Sequence, residues 1–246
     1  MKPRLGLSLL RLFTVQGSWT YERMIGVGVG VAEEPLLRDL PGGPGGAAYR
    51  AAVARGARYF NAHPYLAGLA VGAAAKAEYE GVPPEQIERL RSALAGPLGS
   101  LGDLLVWAGW LPLTAALAIA AVALGAGWAA IAGFLILYNA GHFALRWWAL
   151  RVGWANGTRV PVALHQPWLR RAAAFTGPAM ALAMGFALPL AAGRLATPLP
   201  NSGRAAMAGC AAVALVLLWR RTAQLTGLRL GLAVLAGALV VGWVWR

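Results

Sequence analysis

The sequence predicts an all-α integral membrane protein: an N-terminal amphipathic helical arm, Gly/Pro-broken re-entrant hairpin segments, then about 4–5 transmembrane helices. Three observations carry that expectation. Hydrophobic residues make up 59% of the 246 and charged ones only 13%, with a mean hydropathy of +0.58. Three apolar runs, 104–124, 127–149 and 172–192, approach the ~20 residues that a spanning helix requires. The basic residues are also distributed unevenly about those runs, as cytoplasmic loops demand.

Residues 1–60 are charged and read as a cytoplasmic or interfacial helical arm. Met1–Phe13 has a basic end but neither a sustained apolar core nor a small-residue cleavage site, so it reads as an amphipathic segment and not a signal peptide. Helical patterns cover roughly 3–15, 18–40 and 47–60, and Pro41-Gly42-Gly43-Pro44-Gly45-Gly46 between the last two cannot be a helix interior. The series Gly26-Val27-Gly28-Val29-Gly30-Val31 lacks dinucleotide spacing, because Val31 or Glu33 stands where the third glycine is needed; it reads as helix-packing or turn glycines.

Residues 61–103 form a broken intramembrane hairpin region in this reading. Its apolar segments, 61–79 and 92–103, are Gly/Pro-interrupted and too short to cross separately, and Gly81-Val82-Pro83-Pro84 links them. The stretch Arg91–Pro112 then brings a Gly/Pro-broken loop and one carboxylate, Asp103, to the threshold of the first long run. Broken backbone at membrane depth needs protein or a polar cavity around it, so a substrate-facing re-entrant element is expected there.

Residues 104–246 form the transmembrane region, in which 205–219 and 227–245 could supply two more spans or one span and a partly buried helix. With the N-terminus in the cytoplasm, 17 of the 22 Lys and Arg lie inside and three outside, with Arg146 and Arg229 in or near spans. The positive-inside rule thus accounts for the net charge of +13, and no nucleic-acid partner is expected.

Asp103 is the only acid after Glu88. It could bind a polar substrate's hydroxyls or a partner, pair with Arg91 or Arg146, or cap a helix starting at Leu104. Asn61 and His63, beside Pro64, mark a break or helix start; they are either hinge residues satisfied locally or part of a site. Glu78 and Glu80 alone read as a solvated loop end. Asn139, His142 and Arg146 share one face of an apolar run and should look into protein, while Trp147, Trp148 and Trp154 read as an interfacial belt. Three scattered histidines and the single Cys210 offer no metal spacing or disulfide, so no metal or cofactor is expected.

In their order, Thr20-Tyr21-Glu22-Arg23-Met24-Ile25, Tyr59-Phe60-Asn61-Ala62-His63-Pro64, Glu78, Ala95-Gly96-Pro97-Leu98-Gly99-Ser100-Leu101-Gly102-Asp103 with Trp107 and Pro112, Tyr138-Asn139 and Gly153-Trp154-Ala155-Asn156-Gly157 form a set. It resembles the IID component of the mannose/fructose/sorbose-type phosphotransferase systems over roughly residues 8–195, with 205–246 divergent. The resemblance implies an all-helical IID subunit that forms a sugar permease with IIC, often as a trimer of heterodimers in the bacterial cytoplasmic membrane. It implies phosphorylation of a hexose-type sugar by cytoplasmic IIB, fed by IIA, and phosphorylated histidines on those components, so that this chain has no chemistry of its own. Asn61, His63, Glu78, Gly96, Pro97, Gly102, Asp103, Asn139 and Arg146 become candidates for the substrate pathway or subunit interface. Ala62 stands where that family has threonine, and Thr20 where it has asparagine. Such losses remove hydrogen-bond partners worth about 0.5–1.5 kcal/mol each, which leaves a sensing or regulatory IID-like subunit as the alternative.

Overall fold

A computed structural model of the chain describes residues 3–196 and 200–206, with 208, 209 and 212. It divides into two compact units, 1–188 and 189–246. The described residues are helical apart from turns and two isolated bridges, Thr20 with Met24 and Met24 with Phe60. The expected runs 205–219 and 227–245 lie outside the described residues, save for 205, 206, 208, 209 and 212.

Helices α1 (Leu5–Leu12), α2 (Gly26–Leu37) and α3 (Ala47–Gly56) make up the arm. In α1 the buried residues are Ser8, Leu9 and Leu12, and the Ser8 hydroxyl donates to the Ala32 carbonyl at 2.7 Å. The glycine series of α2 is a packing surface. A Cβ on Gly26 would lie 2.0 Å from the Arg58 carbonyl oxygen, one on Gly28 2.0 Å from that of Val15, and one on Gly30 2.8 Å from the Ala57 nitrogen. The expected helix over 18–40 therefore starts only at Gly26; residues 20–24 turn back to pair with Phe60, and Met24 takes a positive φ of 51°. The Pro/Gly hexapeptide is a turn, with Gly42 and Gly43 at positive φ and one 3₁₀ turn over Gly43–Gly45.

Helix α4 (Ala67–Tyr79) is the centre of the fold, and every residue from Ala67 to Ala75 is buried. Its small side chains let backbones touch. A Cβ on Gly72 would sit 2.4 Å from the Trp154 nitrogen, and one on Gly153 2.4 Å from the Leu69 oxygen. The segment 61–79 is thus not interrupted within its helix. Its glycines belong to a contact with α7 (Trp128–Asn156), and its apolar character to burial in protein.

The larger correction concerns Arg91–Pro112. Helix α5 (Pro84–Gly102) passes through Gly96-Pro97 and Gly99-Ser100-Leu101-Gly102 without a break. It continues as a π-helical stretch, Asp103–Trp110, into α6 (Leu111–Ala123). The expected loop is absent because Ile87, Arg91, Leu94, Leu98 and Gly102 recur on one buried face; packing at helical period outweighs a few glycines and one missing hydrogen bond at Pro97. The hairpin survives as α4, a turn at 80–83 with Gly81 at φ 69°, and α5 with Pro84 in its first turn. Helices α8 (Val160–Ala163) and α9 (Pro167–Ala196) follow α7. Three stretches are long and apolar enough to cross a membrane, Pro84–Ala123, Trp128–Ala163 and Pro167–Arg194, in agreement with the three expected runs.

The arm is folded onto α4, not laid out as a separate layer, and ion pairs fix it there. Arg91 of α5 donates to Glu33 of α2 at 3.1 Å and to the Gly56 carbonyl at 2.8 Å, and its guanidinium lies 5.2 Å from the Phe60 ring centre. Both partners of this pair are buried. Burial pushes the Glu33 carboxyl up to about 7, even with Arg91 pulling it down. Arg55 of α3 grips Glu78 of α4 through two nitrogens at 2.7–2.9 Å. Glu34 accepts from Arg11, Arg38 and Tyr49; partial burial pushes its pKa upward, but those hydrogen bonds hold it down to about 2.

Candidate functional site

The segment 61–66 carries the chain from the arm into α4. It is anchored behind by backbone bonds from Phe60 to Arg23 and from Ile25 to Phe60. The His63 carbonyl accepts from the Leu66 and Ala67 amides at 3.0 and 3.1 Å, which starts the helix immediately after Pro64. Here α5 passes so close that a Cβ on Gly102 would lie 2.1 Å from the His63 Cβ. Glycine at 102 is therefore a requirement of contact and not of turning. The imidazole of His63 is buried against Tyr65 and Trp107, with ring centres 4.9 and 5.1 Å away. Its Nδ1 accepts from the Tyr65 amide at 3.2 Å, which leaves the proton of the neutral ring on Nε2, a buried atom with no hydrogen-bond partner. Of the two readings open for His63, local satisfaction holds for one nitrogen only.

Behind His63 lies an aromatic and cationic layer. Tyr65 stacks on His142 at 4.0 Å and shares a 2.6 Å hydrogen bond with the Tyr138 hydroxyl. Arg146 is buried, with its guanidinium 4.6 Å from the Tyr65 ring centre and 5.3 Å from that of Phe13. It donates to His142 Nε2 at 2.7 Å, to the Pro64 carbonyl at 3.1 Å and to the Leu12 carbonyl. Arg146 thereby ties the end of α1 and the segment 61–66 to α7. Tyr65, the hub of this layer, is not marked by any sequence pattern; its position beside Pro64 is the only signal it gave.

In front, the surface is open. On α5 and the π-helical stretch, Gly96, Ser100, Asp103 and Trp107 are exposed at helical spacing, with Asn61 exposed on the neighbouring segment. Pro97 is exposed beside Gly96. Asp103 makes no hydrogen bond or ion pair with a described residue, and its side chain caps no helix. Two of the roles open to it are thereby removed: Arg91 is committed to Glu33, Arg146 is committed to carbonyls and His142, and no helix starts at Leu104. What remains is an exposed carboxylate that no described residue engages.

Two candidates lie elsewhere. Glu78 stands near the far end of α4, about 16 Å along the axis from its first residue, where it holds α3 through Arg55. Asn139 shares a face with Arg146 but is exposed, and its amide donates to the Leu135 carbonyl of its own helix at 2.7 Å. The covering provided by α1 and α4 reaches Arg146 and Leu150 but not Asn139. Among the described residues, no group of three or more His, Cys, Asp or Glu is arranged to hold a metal.

The model of the mannose/fructose/sorbose-family phosphotransferase IID component matches residues 2–185. The chain is 33% identical over 156 residues to the sorbose-specific EIID component of Klebsiella pneumoniae, covering 61% of this chain and 56% of that one. It is 30% identical over 149 residues to the fructose permease IID component of Bacillus subtilis, covering 58% and 53%. The chain thus spans about half the length of the curated relatives it matches. Among solved structures, a chain of the mannose transporter ManYZ in complex with microcin E492 is similar, with a TM-score of 0.58 at 25% identity over 74% of this chain and 67% of that one. Another solved membrane protein gives a TM-score of 0.65 at 26% identity, covering 72% and 66%. With this fold, these motifs and a family match over most of its length, the chain belongs to the mannose/fructose/sorbose family of phosphotransferase-system IID components.

Proposed function

We propose that this chain is the IID membrane subunit of a mannose-type sugar phosphotransferase system. With a IIC membrane subunit it builds the permease for a hexose-type sugar, as part of a trimer of heterodimers, and cytoplasmic IIB, charged by IIA, phosphorylates the sugar. The chain itself performs no phosphoryl transfer. It sits in the bacterial cytoplasmic membrane with its N-terminus inside, residues 1–60 as the arm, 61–103 as the hairpin and 104–246 as the membrane-crossing region.

The observation that carries this reading is Asp103. In this reading Leu104–Ala123, about 30 Å long at 1.5 Å per residue, is the part that fills the hydrocarbon layer, and Asp103 is assigned to its boundary. An exposed carboxylate without a partner among the described residues, flanked by Trp107 and Asn61, has the chemistry to bind sugar hydroxyls or donors of a IIC subunit. Asp103→Asn and Asn61→Ala are expected to leave the fold intact and to lower sugar-dependent uptake or recovery of the IIC complex. Unchanged uptake and unchanged assembly in both would overturn the assignment.

A regulatory role without net transport is favoured by one feature. Ala62, buried where the family carries threonine, packs toward Gly99 and offers no hydroxyl at that junction. Sugar accumulation driven by phosphoenolpyruvate in vesicles holding the full set of components would exclude it.

A further inference from the structure

An apolar groove of about 360 Å³ opens between the π-helical stretch, α7 and α9, with Trp110, Leu145, Trp148, Trp168, Ala172 and Thr176 in its wall. Each of the three elements belongs to a stretch able to cross a membrane. Trp148 and Trp168 meet edge to face at 4.8 Å near one end, where α7 leads into the link to α9. Tryptophan pairs of this kind favour the level of lipid headgroups.

That end of the groove is strongly cationic. Arg151 follows Trp148 by three residues and Arg171 follows Trp168 by three, so each is a helical neighbour of a groove residue; Arg170 precedes Arg171 in α9, and Arg159 lies in the 3₁₀ turn that follows α7. All four are exposed. Arg151 lies 5.5 Å from the Trp147 ring, and none of the four pairs with a described carboxylate. The sequence contains no Asp or Glu after Asp103, and Glu80, which sits against Gly157, is paired with Lys76.

We propose that this groove binds an anionic phospholipid, one acyl chain lying along the groove against Trp110 and the Trp148–Trp168 pair and the phosphate held by Arg151 and Arg171. Charge complementarity selects this occupant over an apolar helix of a partner, which would leave the arginines unanswered, and over a zwitterionic lipid, which brings its own cation.

The test uses the full chain isolated in detergent and measures tryptophan quenching by phosphatidylglycerol or phosphatidylcholine brominated on the acyl chain. Saturable quenching is expected with a half-point at least about fivefold lower for phosphatidylglycerol, given two arginines near the phosphate. Arg151→Gln with Arg171→Gln should bring the two half-points together without change in helix content, while Arg→Lys at both positions should keep them apart. The quenched share should shrink when Trp148 and Trp168 are replaced by phenylalanine, leaving Trp110 as the reporter in the groove wall. Equal half-points in the native chain, a preference that survives the Arg→Gln pair, or quenching unaffected by loss of the two tryptophans would each overturn the proposal.

Discussion

Arg91→Met tests whether the buried Glu33–Arg91 pair holds the arm to the hairpin. The native guanidinium carries three loads: the 3.1 Å bond to Glu33, the 2.8 Å bond to the Gly56 carbonyl and the stacking over Phe60. Removing one partner of a buried pair leaves the other charge uncompensated, at a cost of about 3–5 kcal/mol. The pH dependence makes the test specific. Because burial raises Glu33 from its ordinary 4.5 to about 7, the folded chain holds that proton more tightly than the unfolded one. The stability this group contributes is therefore full below 4.5 and is lost as pH rises through about 7. Without Arg91 the folded pKa moves higher still, and the decline continues beyond the point where the native chain levels off. The variant should lose about 1.4 kcal/mol per pH unit relative to native above pH 7, or about 2 kcal/mol by pH 8.5. Unfolding titrations in mixed detergent micelles, followed by tryptophan fluorescence at several pH values, measure both quantities. Glu33→Gln combined with Arg91→Met should recover much of the loss and abolish the extra slope. A cost below about 1 kcal/mol, or a variant curve parallel to native from pH 7 to 8.5, would refute the reasoning.

The other expectations are narrower. Gly102→Ala should cost about 1–3 kcal/mol, because its Cβ would meet the His63 Cβ at 2.1 Å, whereas Gly96→Ala, with nothing within 4 Å, should gain about 0.5–1 kcal/mol; the same titrations compare them. Arg146→Gln should destabilise by about 1.5–3 kcal/mol and expose the end of α1, seen as faster amide exchange around Leu12. Glu34→Gln should cost about 1–2 kcal/mol at neutral pH. Since hydrogen bonds lower Glu34 to about 2, that difference is present above its ordinary 4.5 and should vanish as pH falls through about 2, read by acid unfolding.

The helical membrane class and the first three long runs were legible because hydropathy and length act on whole segments, where tertiary context changes little. The join of arm and hairpin was partly legible: the motif around Asn61 and His63 does start a helix beside α5. The region around Gly96 and Pro97 was misread because local propensity argued for a break, while the decisive signal was the long-period burial of Ile87, Arg91, Leu94, Leu98 and Gly102. Glu78 looked like a solvated loop end because its partner, Arg55, is 23 residues away. The same distance problem hid Glu33, whose partner is 58 residues away. Asn139 shows the converse failure: helical spacing gives a residue's angle about the axis but not how far along that axis the neighbours extend.

The π-helical stretch Asp103–Trp110 alters how the rod from Pro84 to Ala123 can be divided. In wide turns each residue advances the chain around the axis by less than the 100° of an α-helix, so the faces above and below the stretch fall out of phase with one another. The stripe of α5 pressed against His63 and Glu33 therefore does not simply continue as the inward stripe of α6. The stretch works as a phase shifter. Deleting one residue inside it would rotate α6 relative to the arm, turning different apolar side chains toward lipid without altering a single contact of α5.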